Sequence, residues 1–252
     1  MYLSKKRILL ILLAIVLIII ICIVAVNGRG DGIKPEEKQS PPVKGILDPV
    51  ASGAILKINT DERVVALTIE VNDTEDDYTA EIIDVLNRHG VEATFFLTGQ
   101  WVENNPNMAQ VIVESGYAIG NHSYAHEDIS GLSARKIAQD IEKADSAIGA
   151  IYSEEINLYR SPYACVNKNV FKACKNKNKL LIIHSLDSLD WQSAEAQSAV
   201  NNVISAVAAG DIIAFHNDAA CAPQALDEII RQMRKTGYRF VTVHNLLSVG
   251  AE

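Results

Sequence analysis

Cysteine is scarce in this chain, at 4 of 252 residues, with no Cys-x-x-Cys pair and no zinc-type spacing. Cys22 lies in an apolar run, which leaves Cys165, Cys174 and Cys221 outside it, an odd number that argues against a disulfide framework. Cys165 and Cys174 are near enough in sequence to close a short loop, but a buried reduced thiol is the favoured reading for each. Proline is also sparse, at 7 residues, and no internal repeat is found. With 48% hydrophobic and 21% charged residues, this excludes collagenous, coiled-coil and disordered chains. Basic residues are outnumbered, 23 against 31 acidic, for a net charge of −8. Nucleic acid is a poor partner for such a chain, because phosphate binding needs clustered Lys and Arg.

Acidic residues are absent from Met1 to Val26, and from Ile8 to Val26 the chain holds only Ile, Leu, Val, Ala and one Cys. Nineteen such residues make a helix of roughly 28 Å, close to the thickness of a bilayer hydrocarbon core. Lys5, Lys6 and Arg7 precede it, so the positive-inside rule keeps residues 1–7 in the cytoplasm and places the rest outside. The expectation is a single-pass membrane anchor over residues 8–26. A cleaved signal peptide is the rival, although Ala25-Val26-Asn27-Gly28 is a poor cleavage site. Removing the three cytoplasmic positives leaves 20 basic against 31 acidic residues, a net −11 on the outer side. Residues 27–60, rich in Gly, Pro and charge, read as a spacer, and residues 61–252 as one domain.

From Arg63 short apolar runs alternate with amphipathic stretches, the pattern of strand-helix-strand units. Strands are expected at Val64 to Glu70, Glu92 to Leu97, Tyr117 to Gly120, Asn157 to Arg160, Lys179 to Leu186, Asp211 to Phe215 and Tyr238 to Val243. Helices are expected at Tyr78 to His89, Pro106 to Ser115, Ala134 to Ile151, Asn167 to Lys175, Ala194 to Ala208 and Ala222 to Thr236. This is an α/β domain with a largely parallel sheet, open or closed into a barrel, whose ligands belong at the C-terminal strand ends.

Five polar clusters fall at those ends: Glu70-Val71-Asn72-Asp73, His122-Ser123-Tyr124-Ala125-His126, Arg160-Ser161-Pro162-Tyr163, Asp187-Ser188-Leu189-Asp190-Trp191 and His216-Asn217-Asp218. In a helical turn His122 and His126 share a face and can hold one metal ion, provided a third ligand exists; otherwise they are ordinary histidines. His89, His184 and His244 read as structural, the first beside a helix-ending Gly and the others in or beside apolar strands.

From about Arg63 to Leu247 the chain resembles the polysaccharide deacetylases of the NodB-homology type, carbohydrate esterase family 4. The resemblance rests on Ala93-Thr94-Phe95-Phe96-Leu97-Thr98-Gly99, the His122 to His126 cluster, Arg160-x-Pro162-Tyr163, Asp187-x-x-Asp190-Trp191 and Gly237-Tyr238-Arg239-Phe240-Val241-Thr242-Val243. It implies a distorted (β/α) barrel, here preceded by the transmembrane helix. It further implies hydrolysis of the acetamide of an N-acetylated glycan, such as peptidoglycan, assisted by a divalent metal: zinc, or cobalt or nickel. On this resemblance His122 and His126 are metal ligands, His216 is the general acid, and Arg160 and Asp190 orient the base and the acid. Tyr163 offers its backbone N–H to the oxyanion, and Trp191 lines the sugar groove.

Two clusters depart from the family pattern. Glu70 stands at the catalytic base and Val71, which cannot bind a metal, at the third ligand. Asp73 is a candidate surrogate ligand if the chain bends at Asn72; the alternative is an Asx turn or helix cap among Asp73, Thr74, Asp76 and Asp77. Ala214 replaces a larger residue in the pocket for the acetyl methyl, and Asp218 reads as a loop-capping acid. The two functional readings are an active deacetylase and an impaired relative that serves as a glycan-binding or wall-assembly component. The anchor reading is checked by fractionation: the full-length chain should stay with membranes after an alkaline wash and a chain starting at residue 27 should not, whereas an intact full-length chain in the soluble fraction would contradict it.

Overall fold

The computed structural model describes residues 53–250. The expected anchor, residues 8–26, and most of the spacer lie outside the described residues; among those described, no helix is long and apolar enough to cross a membrane.

Eight strands, β1 (Val64–Val71), β2 (Thr94–Leu97), β3 (Ala118–Asn121), β4 (Leu158–Tyr159), β5 (Leu180–Leu181), β6 (Leu186–Asp187), β7 (Ile212–His216) and β8 (Arg239–Val241), form one parallel sheet. Their order is β5-β4-β3-β2-β1-β7-β6. Ala66 of β1 pairs with both Ile212 of β7 and Val241 of β8, so β8 lies on the β2 edge of β1, at its N-terminal half. The helices are α1 (Thr79–His89), α2 (Gly99–Asn104), α3 (Pro106–Glu114), α4 (Ala134–Gly149), α5 (Lys168–Asn176), α6 (Ala196–Ala206), α7 (Ala222–Lys235) and α8 (Val243–Val249). The short helices α2 and α8 were not expected from the apolar pattern, since neither is long enough to show a helical period.

The expected strand Lys179 to Leu186 is split into β5 and β6, and the split shows how the sheet curls. Leu180 and Leu181 pair with β4, while Leu186 and Asp187 pair with β7, so the two edges of the sheet are joined by residues 182–185. Four residues reach at most about 14 Å, so the sheet has to curl until its edges nearly meet. The result is a curled half-barrel of parallel strands. Ile55 and Lys57, in the expected spacer, bridge to Ile182 and Asp211 and so belong to the packed chain.

Strand alternation sorts the side chains. Val65, Leu67, Ile69 and Val71 of β1 face outward into the main core, against residues of α1, α3, α6 and α7 such as Leu86, Ile112, Val203 and Leu226. The inward set is Val64, Ala66, Thr68 and Glu70; the first two join Phe96, Leu158, Ile182, Ile212, Val243 and Leu246 in an apolar plug. The inner face thus turns from apolar to polar toward the C-terminal ends of the strands. Helix α7 buries Ala222, Ala225, Leu226, Ile229, Ile230 and Met233, a stripe at helical spacing, and α1 ends at Gly90, whose φ is 55°.

Asp77 locks the crossover from β1 to α1. Its Oδ1 accepts from the backbone N–H of Thr79 at 2.9 Å and from Asn217 Nδ2 at 3.0 Å, and its Oδ2 from Trp101 Nε1 at 2.7 Å. The Asx-turn alternative for this acidic stretch is therefore realised at Asp77, one residue before the N-cap Tyr78. Burial raises its pKa, but the Thr79 hydroxyl, which donates to Oδ1 at 2.5 Å, and these other donors outweigh it and hold the carboxyl below its ordinary value of 3.8. Asp77→Ala should cost about 1–2 kcal/mol at pH 7, read by urea unfolding. Because the folded pKa is depressed, Asp77 contributes fully above the unfolded value and loses its contribution as pH falls through the folded one. The gap between wild type and variant should narrow below pH 3.8; a gap constant into strong acid would contradict the assignment.

Candidate active site

Glu70, at the inward position ending β1, is 7% exposed. Its Oε1 meets Arg160 Nη1 at 3.2 Å; its Oε2 lies 3.1 Å from His122 Nε2 and 3.6 Å from His216 Nε2. Burial raises the Glu70 pKa, yet the charges of His122, His216 and Arg160 and the His122 hydrogen bond hold it well below the usual carboxylate range. Arg160 is itself buried, stacked on Phe96 with its guanidinium carbon 4.2 Å from the ring centroid. It donates to Thr68 Oγ1 at 2.8 Å and to the carbonyls of Ile182 and Ile183. Gly120 makes room for this stack, since a Cβ there would sit 2.6 Å from the Phe96 ring.

His122 follows β3 directly, and its Nδ1 lies 2.9 Å from the Arg160 carbonyl oxygen. A carbonyl only accepts, so Nδ1 carries a proton; in the charged ring Nε2 donates to Glu70 Oε2, and in the neutral ring that same Nε2 is a lone pair aimed at the carboxylate. That Nε2 is buried without a hydrogen-bond donor of its own. His126 stands beside it, ring centroids 4.9 Å apart. The two are not on a helical turn, as the spacing suggested: a loop brings them together, with Ser123 at φ 70° and His126 at φ 53°, and Ser123 Oγ accepts from the His126 backbone N–H at 3.0 Å. Burial and the neighbouring His122 push the His126 pKa down to about 3.

Opposite lies His216 at the end of β7. Its Nδ1 meets Asp190 Oδ1 at 2.7 Å, and its backbone N–H donates to Asp190 Oδ2 at 3.0 Å. Burial opposes the charged imidazolium, but the Asp190 hydrogen bond and the charges of Glu70, Asp190 and Asp187 prevail and raise the pKa to about 9. The proton of the imidazolium that faces Glu70 is therefore the one on Nε2.

Of the expected site residues, Glu70, His122, His126, Arg160, Asp190 and His216 converge. Ala214 lies on the inner face two residues before His216 and is wholly buried. Tyr163 and Trp191 are 59% and 46% exposed. Tyr163, at φ 54°, packs its ring 4.6 Å from that of His126, and Trp191 donates to Asp187 Oδ2 at 3.2 Å. Left-handed backbone recurs at Ser123, His126, Tyr163, Ala164 and Leu189, five of the six non-glycine cases among the described residues and all in the segments bearing these side chains, a concentration of backbone strain that is typical of functional sites.

Asp73 does not join them. Asn217 Oδ1 accepts from the Asn72 backbone N–H at 2.9 Å and its Nδ2 donates to the Asn72 carbonyl at 3.1 Å, so the chain is pinned straight where a bend was required. The Asp73 Oδ2 instead accepts from Gln100 Nε2 at 2.9 Å and Asn104 Nδ2 at 2.7 Å. Asp73 as surrogate ligand is thus replaced by an Asp73 that tethers α2.

Sequence reasoning missed two contributors. Thr68 sits two residues before Glu70 on the same face, so period 2 would have found it. His184, read as structural, places a buried, unpartnered Nδ1 4.0 Å from Glu70 Oε1. Its signal was the break it makes in the apolar run Leu180 to Ile183. The three cysteines among the described residues are free and buried.

Oxygen or nitrogen atoms of Glu70, His122 and His126 all lie within 4.8 Å of one another. Two imidazoles and a carboxylate suit a divalent transition metal, and the orphaned His122 Nε2 facing a carboxylate oxygen is an arrangement that a cation relieves.

Residues 57–179 match the polysaccharide deacetylase family model. A peptidoglycan-N-acetylglucosamine deacetylase of Bacillus cereus is 32% identical over 196 residues, 76% of this chain and 91% of that protein. The peptidoglycan-N-acetylmuramic acid deacetylase PdaA of Bacillus subtilis is 30% identical over 193 residues, 75% of this chain and 73% of that one. Among solved structures, a pseudoenzyme of carbohydrate esterase family 4 from Bacillus anthracis superposes with a TM-score of 0.74 at 28% identity, covering 78% of this chain and 69% of that one. With its curled half-barrel and its cluster of Glu70, two paired histidines and an Asp-bound histidine, the chain belongs to the polysaccharide deacetylase family, carbohydrate esterase family 4.

Proposed function

We propose that this protein removes acetyl groups from an N-acetylated cell-wall polysaccharide such as peptidoglycan, as a metal-dependent hydrolase held at the outer face of the cell membrane by residues 8–26. The observation that carries the reading is the convergence, at the C-terminal end of one half-barrel, of the Glu70, His122 and His126 group with a proton-bearing His216.

His122, His126 and the carboxylate they face would hold the metal. A divalent ion held there, zinc, cobalt or nickel, would supply Lewis-acid chemistry toward the amide carbonyl and water. The remaining work falls to the chain's own side chains. His216 delivers the Nε2 proton to the leaving amine nitrogen as the C–N bond breaks, while the protons shed by the attacking water pass to solvent and restore the imidazolium, giving acetate and a free amino sugar. Asp190 fixes the ring so that Nε2, and not Nδ1, faces the reaction. Arg160 holds Glu70 in place through Oε1. The Tyr163 backbone N–H is assigned to the carbonyl oxygen, the inner wall at Ala214 to the acetyl methyl, and the exposed Trp191 to a pyranose face.

A second reading, an impaired relative that binds glycan or assists wall assembly, is supported by the single carboxylate in the metal group. The family pattern puts two carboxylates in the first motif; here Val71 points into the outer core. The two readings separate on acetate release from chitin oligomers and peptidoglycan by the full-length chain loaded with zinc, cobalt or nickel. The first predicts release that is lost on chelation and regained with metal; no release with any of the three would overturn it. If release is seen, His216→Ala should lower kcat by about 100-fold or more, and Asp190→Asn by a comparable factor with little change in KM. An undiminished kcat in His216→Ala would remove it from the mechanism.

A further inference from the structure

We infer that Glu70 is a metal ligand, through Oε2, and not the proton acceptor its place in the sequence suggests: the carboxylate ligand of this site has moved one residue back, from position 71 to position 70. The inference rests on the metal reading given above and concerns how this chain fulfils it.

Position 71 is closed to the role by direction as well as by chemistry. Val71 is wholly buried on the outward face of β1, among the apolar side chains that pack under the helices. Asp73 is engaged by Gln100 and Asn104. Among the described residues, Glu70 is the carboxylate grouped with both His122 and His126.

The contacts of Glu70 divide by oxygen. Oε1 is matched by the Arg160 guanidinium at 3.2 Å, whereas Oε2 faces His122 Nε2 at 3.1 Å. With the His122 Nδ1 proton committed to the Arg160 carbonyl, the neutral ring turns Nε2 toward Oε2 as a lone pair, so that a cation can take the place of the proton the charged ring would hold between them. An ion between them would be met by one imidazole nitrogen and one carboxylate oxygen, donors that suit a divalent transition metal. Arg160 then acts behind the ligands on both sides. Its guanidinium fixes the carboxylate and its carbonyl fixes the imidazole, the kind of outer support that orients metal ligands.

Equilibrium dialysis of the full-length chain against zinc and cobalt is the test, with circular dichroism confirming the fold of each variant. Glu70→Gln should weaken zinc binding by about 100-fold or more, and Asp73→Ala by no more than about 2-fold. Equal affinity in wild type and Glu70→Gln would overturn the ligand assignment while leaving the metal reading intact. A wild type that binds neither metal would overturn both. Should Glu70→Gln fail to fold, a crystal structure of the zinc-loaded wild type decides: Oε2 at about 2.0–2.2 Å from the ion is expected, and a water between Glu70 and the ion would overturn the inference.

Discussion

The site depends on one buried cation. Arg160 lies inside the half-barrel at 1% exposure, and its countercharge within hydrogen-bond reach is Glu70. Removing a guanidinium from water is costly unless its donors are satisfied, and here Thr68, Glu70, Ile182, Ile183 and the Phe96 face all serve that end. The arrangement links β1, β2 and the end of β4 with the seam between the sheet edges. Because the carbonyl of the same residue sets the His122 tautomer, one residue fixes both the carboxylate and an imidazole facing it.

Around that centre the charges fall into two halves. On one side His126, driven down to about 3 by burial and by His122, is neutral and able to donate a lone pair. On the other, His216 is raised to about 9 despite burial, by Asp190 first and then Glu70, and keeps its proton. Histidines of opposite protonation flanking one carboxylate suit the proposed chemistry, in which one side would hold a cation and the other release a proton. The left-handed residues in the surrounding loops are held by this scaffold of strands.

Much of this was legible in the sequence because strand ends converge in a parallel sheet. The order of the polar clusters was enough to predict that they would converge on one pocket, where His122, Arg160 and His216 meet Glu70 and Asp190 meets His216. The strand Val64 to Glu70 was also expected, but with every residue of β1 buried its inward and outward faces came only from the structure. What escaped was set by pairings distant in sequence. Asn217 straightens the chain at Asn72 and sends Asp73 outward, an effect that no local pattern around Asp73 encodes. The strand after Lys179 breaks because its halves belong to opposite sheet edges, and the break carries His184 into the site. The paired histidines were expected on a helical turn, whereas left-handed backbone at Ser123 and His126 brings them together instead.

If the Arg160–Glu70 pair is the element on which the site is built, the two residues should be energetically coupled. A double-mutant cycle of Arg160→Met and Glu70→Gln in urea unfolding measures this directly. Each single change should cost about 3–5 kcal/mol by stranding its partner, and the double variant should cost no more than either. Additive losses, with no coupling between the two positions, would contradict the account.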